Sequence, residues 1–154
     1  MTLLVRDPVI GDFDAINSLG KWFQENSHYA GCGWSETKCL HWVNTGIEPS
    51  SNTFMRVVEK DGKIIGFFLG ILVEYFFSRT TIAQDLVMVF KPEHRKGIAG
   101  SITQLLQEFE TWSITKEANE VCIGITSGIA GDGYEKLIQS LGYKNTGVIL
   151  KKEV

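Results

Sequence analysis

The chain has 154 residues, 44% of them hydrophobic, and a formal net charge of −3; that is one domain with enough apolar material for a core without disulfides or metal. A weakly acidic chain lacks the general attraction to nucleic acid or anionic membrane that a basic one has, and its one compact basic set is His94-Arg95-Lys96. Three irregularly spaced cysteines, Cys32, Cys39 and Cys122, argue against a disulfide framework and for a reducing compartment, and Cys32, Cys39 and His41 fit none of the usual zinc spacings.

The opening MTLLVRDPVIGDFD has no long apolar stretch behind a positive start, so no secretory signal is read there. Thr2 to Val5 reads as a short strand. Asp12 is placed to cap a helix whose apolar residues Phe13, Ile16, Leu19 and Phe23 recur at helical spacing. Asn26 to Trp34 is a polar, glycine-containing loop, and Ser35-Glu36 opens a second helix through Leu40 and Val43. Strands are expected over Thr53 to Glu59, Ile64 to Val73 and Ile82 to Phe90. Asp61-Gly62 between the first two marks a tight hairpin, so the three form an antiparallel meander. The run Ile64 to Val73 is the longest apolar stretch, and it is too short for a bilayer. Together these features predict a cytoplasmic protein with neither a membrane nor a nucleic-acid partner.

Pro92 ends the third strand, and Ile98, Ile102, Leu105, Phe109 and Trp112 lie on one face of a long helix. Val121 to Thr126 reads as a buried strand parallel to the one before that helix. Asp132 can cap a last helix through Tyr134, Leu137, Ile138 and Leu141, with Gly142 as its stop. Thr146 to Lys151 reads as a final strand. One α+β domain over residues 1–154 accounts for this order: a mixed, mostly antiparallel sheet with helices on both faces, an α/β/α arrangement.

The chemistry concentrates between Ile82 and Leu106. Gly97, Ala99 and Gly100 lie where a helix begins, and the first N–H groups of a helix have no internal partner. Those donors and the positive end of the helix dipole suit a phosphate, with Arg95 and Lys96 adding charge. The alternative is a tight strand-to-helix turn with solvated basic residues. A P-loop, GxxxxGK followed by Ser or Thr, is absent, as is the GxGxxG of dinucleotide folds.

The segment resembles the acyl-CoA pyrophosphate motif of the GNAT superfamily of N-acetyltransferases. That motif is Gln or Arg, two residues, Gly, one residue, then Gly or Ala, and here Gly97-Ile98-Ala99 supplies its second half. The element order resembles that fold along the whole chain. The PEHR turn and the terminal Leu141-Gly142-Tyr143, Gly147 and Lys151 resemble small, often phage-encoded members. The resemblance implies a splay between the strand Ile82 to Phe90 and its parallel neighbour. Acetyl-CoA would enter there, its pantetheine arm along the backbone of Met88, Val89 and Phe90. Its pyrophosphate would lie on the N–H groups of Arg95, Lys96, Gly97, Ile98, Ala99, Gly100 and Ser101. Two positions depart from the pattern: His94 stands where Gln or Arg is usual, and Ile138 where many members carry a tyrosine acid, with Tyr134 one turn earlier.

The activity so implied is direct acetyl transfer to a primary amine in a ternary complex, with no metal. Asp85, a carboxylate inside an apolar strand, is the first candidate for the base, since such a charge is costly unless paired or functional. Glu74, at the end of the preceding strand, is the second. Cys122, in a short apolar strand, reads as an inert core residue. The resemblance also implies an acceptor pocket built from the loops Asn26 to Trp34, with His28, Tyr29 and Trp34, and Tyr75 to Thr81. A small amine, an antibiotic, a peptide N-terminus and a lysine side chain all remain open as acceptors. Dimers are common among similar proteins. The reading from another class is a module of the same fold that binds CoA or a protein without turnover, since fold alone does not establish function.

Overall fold

The computed structural model describes residues 3–125 and 132–154. One five-stranded sheet runs in chain order through β1 (Leu3–Arg6), β2 (Thr53–Lys60), β3 (Lys63–Glu74), β4 (Thr81–Phe90) and β5 (Glu120–Cys122). The first four strands pair antiparallel, and β5 joins β4 in parallel. The β2–β3 turn has both Asp61 (φ 49°) and Gly62 (φ 80°) in the left-handed region, the conformation that the Asp-Gly pair predicts.

Helices α1 (Phe13–Asn26) and α2 (Glu36–Ile47) cover one face, and α3 (Ala99–Thr115) covers the other. Strand alternation supplies both cores. Phe54 and Val58 of β2 point to α3, whereas Met55 and Val57 point to α1 and α2. The face foreseen on α3 is the one buried, with Leu105 and Phe109 fully enclosed. A Cβ at Gly70 would stand 2.6 Å from the Phe109 ring, so β3 carries glycine where that ring lies on the strand. Helix α4 (Asp132–Ser140) ends at Gly142 (φ 98°), as expected, with Ile138 buried against the body.

Three expectations need amendment. Asp12 does precede α1, but its carboxylate does not cap that helix. It meets both terminal nitrogens of Arg6 (2.8 and 3.0 Å) and accepts the Val9 N–H (2.8 Å), closing the turn before the helix. Strand β5 stops at Cys122 rather than continuing through Ile125; Thr126, like Thr2 at the start of the first expected strand and the side chain of Asp132, lies outside the described residues. No strand forms over Thr146 to Lys151. Its apolar residues Val148, Ile149 and Leu150 are 81%, 69% and 91% exposed. A strand needs a neighbouring edge for its backbone groups, and this segment pairs with none among the described residues.

Candidate active site

Strand β4 is paired to β3 from end to end, but to β5 only through Ile82, Ala83 and Gln84. From Asp85 to Phe90 its outer edge has no strand partner among the described residues, so the parallel pair opens as a fork. The register shows why. Leu69 faces Val87 and Gly70 faces Asp85, which leaves Leu86 as an extra residue on β4. A bulge of this kind bends and twists the strand that carries it, and here the bend coincides with the parting from β5.

Asp85 sits at the apex of the fork. Its Oδ1 accepts the Gly124 N–H (2.8 Å) and the Gln84 Nε2–H (2.9 Å), tying β4 to the chain just past β5. Both bonds fall on one oxygen. Burial pushes the carboxyl up to about 6, against the opposing pull of those hydrogen bonds. Alternation from Ala83, a member of the α3-side core, puts Asp85 on the α3 face.

Two tyrosines share its surroundings. Tyr134 of α4 is half-buried, and burial followed by the negative charge of Asp85 pushes its hydroxyl pKa up, so it stays a phenol. Tyr143 is pushed up by burial and by the bond its hydroxyl donates to Glu110 (2.8 Å), which commits it to α3. Ile138, at the position where a tyrosine acid was expected, is 5% exposed within the core, and Tyr134 is the phenol of α4 that lies near Asp85. Cys122 stands at the last paired position of β5; burial, then Glu120 and Asp85, push its thiol up, which makes it a poor nucleophile. Glu74 is exposed and pairs with Thr81, four residues before Asp85, or about 13 Å along the strand. The two candidate carboxylates are therefore not brought together.

Beyond Phe90 the chain makes a 3-10 turn over Pro92–His94 and reaches Gly97 (φ 78°), a backbone conformation that calls for glycine. Arg95 is engaged in shaping this turn: its Nε donates to the Phe90 carbonyl (3.0 Å) and its N–H to that of Pro92 (3.2 Å). The Arg95 N–H, expected in the phosphate cradle, is thus already used. Ile98 is buried and anchors the start of α3, and the Ile102 N–H donates to its carbonyl (2.9 Å). The N–H groups of Ala99, Gly100 and Ser101 lead the helix, and Ser101 offers its backbone here because its side chain is buried. A Cβ at Gly97 or Gly100 would meet nothing within 4 Å. Gly100 has neither a positive φ nor a close neighbour to require it. Its effect is to keep the first turn of α3 bare, which suits a pyrophosphate approaching these N–H groups.

On the opposite face, α1, α2 and the sheet enclose a cavity of about 640 Å³. Tyr29 and Trp34 from the loop after α1 line it, together with Leu86, Val87 and Val89 from the unpaired stretch of β4. No residue from Tyr75 to Thr81 reaches it, nor does His28. The loop between β3 and β4 instead projects Phe76 and Phe77 outward, 99% and 70% exposed, because its turn carries them beyond the end of the sheet. Sequence reasoning missed most of this wall. Phe23 reads as a helix-core residue from its spacing, Trp42 carries no signal of its own in the sequence, and only the glycine at Gly20, inside a helix, points to something seated there.

The sequence matches no protein-family model and no curated protein sequence. Solved structures do match it over its full length. The aminoglycoside N-acetyltransferase AAC(6')-Iy, in complex with the bisubstrate analogue CoA-S-monomethyl-acetylneamine, aligns with a TM-score of 0.75 at 15% identity, covering 100% of this chain and 99% of that one. An aminoglycoside acetyltransferase from an uncultured soil metagenomic sample gives 0.72 at 15% identity, covering 100% and 99%. Glucosamine-6-phosphate N-acetyltransferase from Arabidopsis thaliana gives 0.71 at 12% identity, covering 99% of each chain. The chain has the fold of the GNAT acetyltransferases. The forked β4–β5 pair and the glycine-rich start of α3 occur within that frame.

Proposed function

We propose that this chain is an acetyl-CoA-dependent N-acetyltransferase that acetylates a primary amine by direct transfer in a ternary complex. The observation that carries the reading is the joint placement along β4. A partly desolvated carboxylate stands at the apex of the fork, and a bare helix start with free N–H groups lies just beyond the strand's other end. Acetyl-CoA would occupy the fork, its pantetheine arm along Met88, Val89 and Phe90 and its pyrophosphate on the N–H groups from Lys96 to Ser101. AAC(6')-Iy, which shares the fold, is in complex with CoA in one structure and a CoA-linked analogue in another.

Asp85 accepts a proton from the ammonium of the acceptor through water in the fork. The neutral nitrogen attacks the thioester carbonyl carbon, the C–S bond breaks, the thiolate takes a proton from Tyr134, and the proton the nitrogen sheds as the amide forms returns the tyrosine to its phenol. Tyr134, held as a phenol, is the donor assigned to that thiolate. The thiol of Cys122 takes no part. Glu74 has no role in this scheme, being exposed at the far end of β3.

Calorimetric titration with acetyl-CoA tests the reading: one saturable site per chain is expected, and no binding at millimolar ligand would sink it. Release of free CoA in the presence of amines then separates the enzyme from a binding module of the same fold. The reading extends to a homodimer, supported by the exposed Val148–Leu150 run and by the outer edge of β5, unpaired among the described residues. No described helix is long and apolar enough to cross a membrane. The three free cysteines support a reducing, cytoplasmic setting.

A further inference from the structure

The cavity on the α1–α2 face points to an acceptor class. We infer that the amine acetylated here is a monoamine borne on an apolar group of aromatic size, and not a polycation. The inference rests on the acetyltransferase reading and concerns its second substrate.

Three observations support it. First, the wall is aromatic: Phe23, Tyr29, Trp34, Trp42 and Phe67 line the cavity. A volume of about 640 Å³ holds a ring and a short side chain with room to spare. Second, the wall is built to be fixed. A Cβ at Gly20 would fall 2.4 Å from the Trp34 indole, so α1 forgoes a side chain in its interior where that ring lies. The Trp34 Nε1–H donates to Asn17 Oδ1 (2.8 Å), and the Asn17 amide donates in turn to Glu36 (3.2 Å). An indole held by a helix backbone and a hydrogen bond is a preorganised surface for a flat apolar group.

Third, the charge has the wrong sign for a polycation. Among the described lining residues no aspartate or glutamate occurs, and the charged one is Lys38. At the edge, Lys151 from the C-terminal segment lies 4.7 Å from the Tyr29 ring centroid and bonds its hydroxyl. The nearby Glu36 is tied to Asn17 and lies outside the lining. An aminoglycoside or a polyamine would bring several ammonium groups beside Lys38, with no carboxylate among the described lining residues to receive them. A monoamine places its ring among the aromatics and its one nitrogen toward Leu86 and Val87, on the face of β4 opposite Asp85, so its proton would pass to that carboxylate through water in the fork.

The test uses the full-length protein and reads the two sites separately. Tryptophan fluorescence is followed with phenethylamine, tryptamine, spermidine and neamine, and acetyl-CoA is titrated by calorimetry. Saturable quenching is expected with the aromatic amines at concentrations at least about tenfold below those the polycations require. Trp34→Ala should weaken tryptamine binding about tenfold or more, as loss of a central aromatic anchor does; circular dichroism confirms its fold. The exposed charge reversal Lys38→Glu, which leaves the core intact, should tighten spermidine binding about three- to fivefold. Preference for spermidine or neamine in the wild-type protein, or no effect of Lys38→Glu on spermidine, would overturn the inference while normal acetyl-CoA binding left the enzyme reading standing. No binding of acetyl-CoA with tryptamine binding retained would overturn the enzyme reading itself and leave only a pocket for aromatic amines.

Discussion

Asp85 is held in a state that costs stability. Its carboxyl is pushed up to about 6 in the folded protein, from 3.8 unperturbed, because burial disfavours the anion. The folded chain therefore binds this proton more tightly than the unfolded chain does. Between about pH 4 and 6 stability falls as pH rises, and the loss persists at neutral pH. Asp85→Asn keeps an oxygen for the Gly124 N–H and removes the charge. The variant should be more stable than the wild type by about 1–3 kcal/mol at pH 7.5, with the difference vanishing near pH 4 in thermal melts. Turnover should move the other way, falling about tenfold or more with acetyl-CoA affinity held within a few fold. The rise of kcat/KM through pH 6 in the wild type should vanish with it. Equal loss of binding and turnover would make Asp85 a structural clasp alone. Tyr134→Phe tests the partner role: a fall in kcat of about tenfold or more with KM for acetyl-CoA unchanged is expected, and unchanged kcat would remove the phenol from the scheme.

At the scale of elements, the start of α3 gives the sharpest contrast. Gly100 lies in a helix without a conformational or packing reason for glycine. Gly100→Ala should therefore stabilise the fold by about 0.5–1 kcal/mol, the usual helix preference, while weakening acetyl-CoA binding. Gly100→Glu should abolish that binding in an intact fold, since its Cβ meets no protein atom. A change at Gly97 is less clean, because any side chain there strains a φ of 78°. Much of this was legible beforehand. The steps of Ile98, Leu105 and Phe109 define one helix face, Asp61-Gly62 defines a hairpin, and Gly97 to Ala99 fits a recognisable motif. The fork was not legible from the residues: it depends on a bulge at Leu86 set by pairing with β3, and nothing local to β4 announces it. The aromatic wall was legible only in part: the loop carrying Tyr29 and Trp34 was expected at the acceptor pocket, whereas Phe23 and Trp42 come from two helices that only the fold brings to it. The strand expected at Thr146 to Lys151 failed for the opposite reason, because apolar, β-branched composition does not supply a neighbouring edge.

For the whole molecule, that same segment leaves Val148, Ile149 and Leu150 in solvent while β5 offers an unpaired outer edge among the described residues. Exposed strand-prone segments and open edges tend to find each other between copies. Light scattering should show a dimer, and Ile149→Asp should shift it toward monomer with unchanged helix content. A wild-type monomer at high concentration would remove the dimer from the reading. The segment also approaches the cavity through Lys151 and Tyr29, so dissociation should raise the KM for the amine and leave that for acetyl-CoA alone.

The bond from Gly124 to Asp85 gives the protein its own indicator. An amide proton held by a carboxylate shifts when that carboxylate titrates, and Gly124 has no side chain to complicate its signal. In an isotope-labelled sample a single glycine resonance should follow a titration curve centred near pH 6. Repeating it with acetyl-CoA bound would read how the cosubstrate changes the basicity of the site, without any reaction taking place and before the acceptor is known.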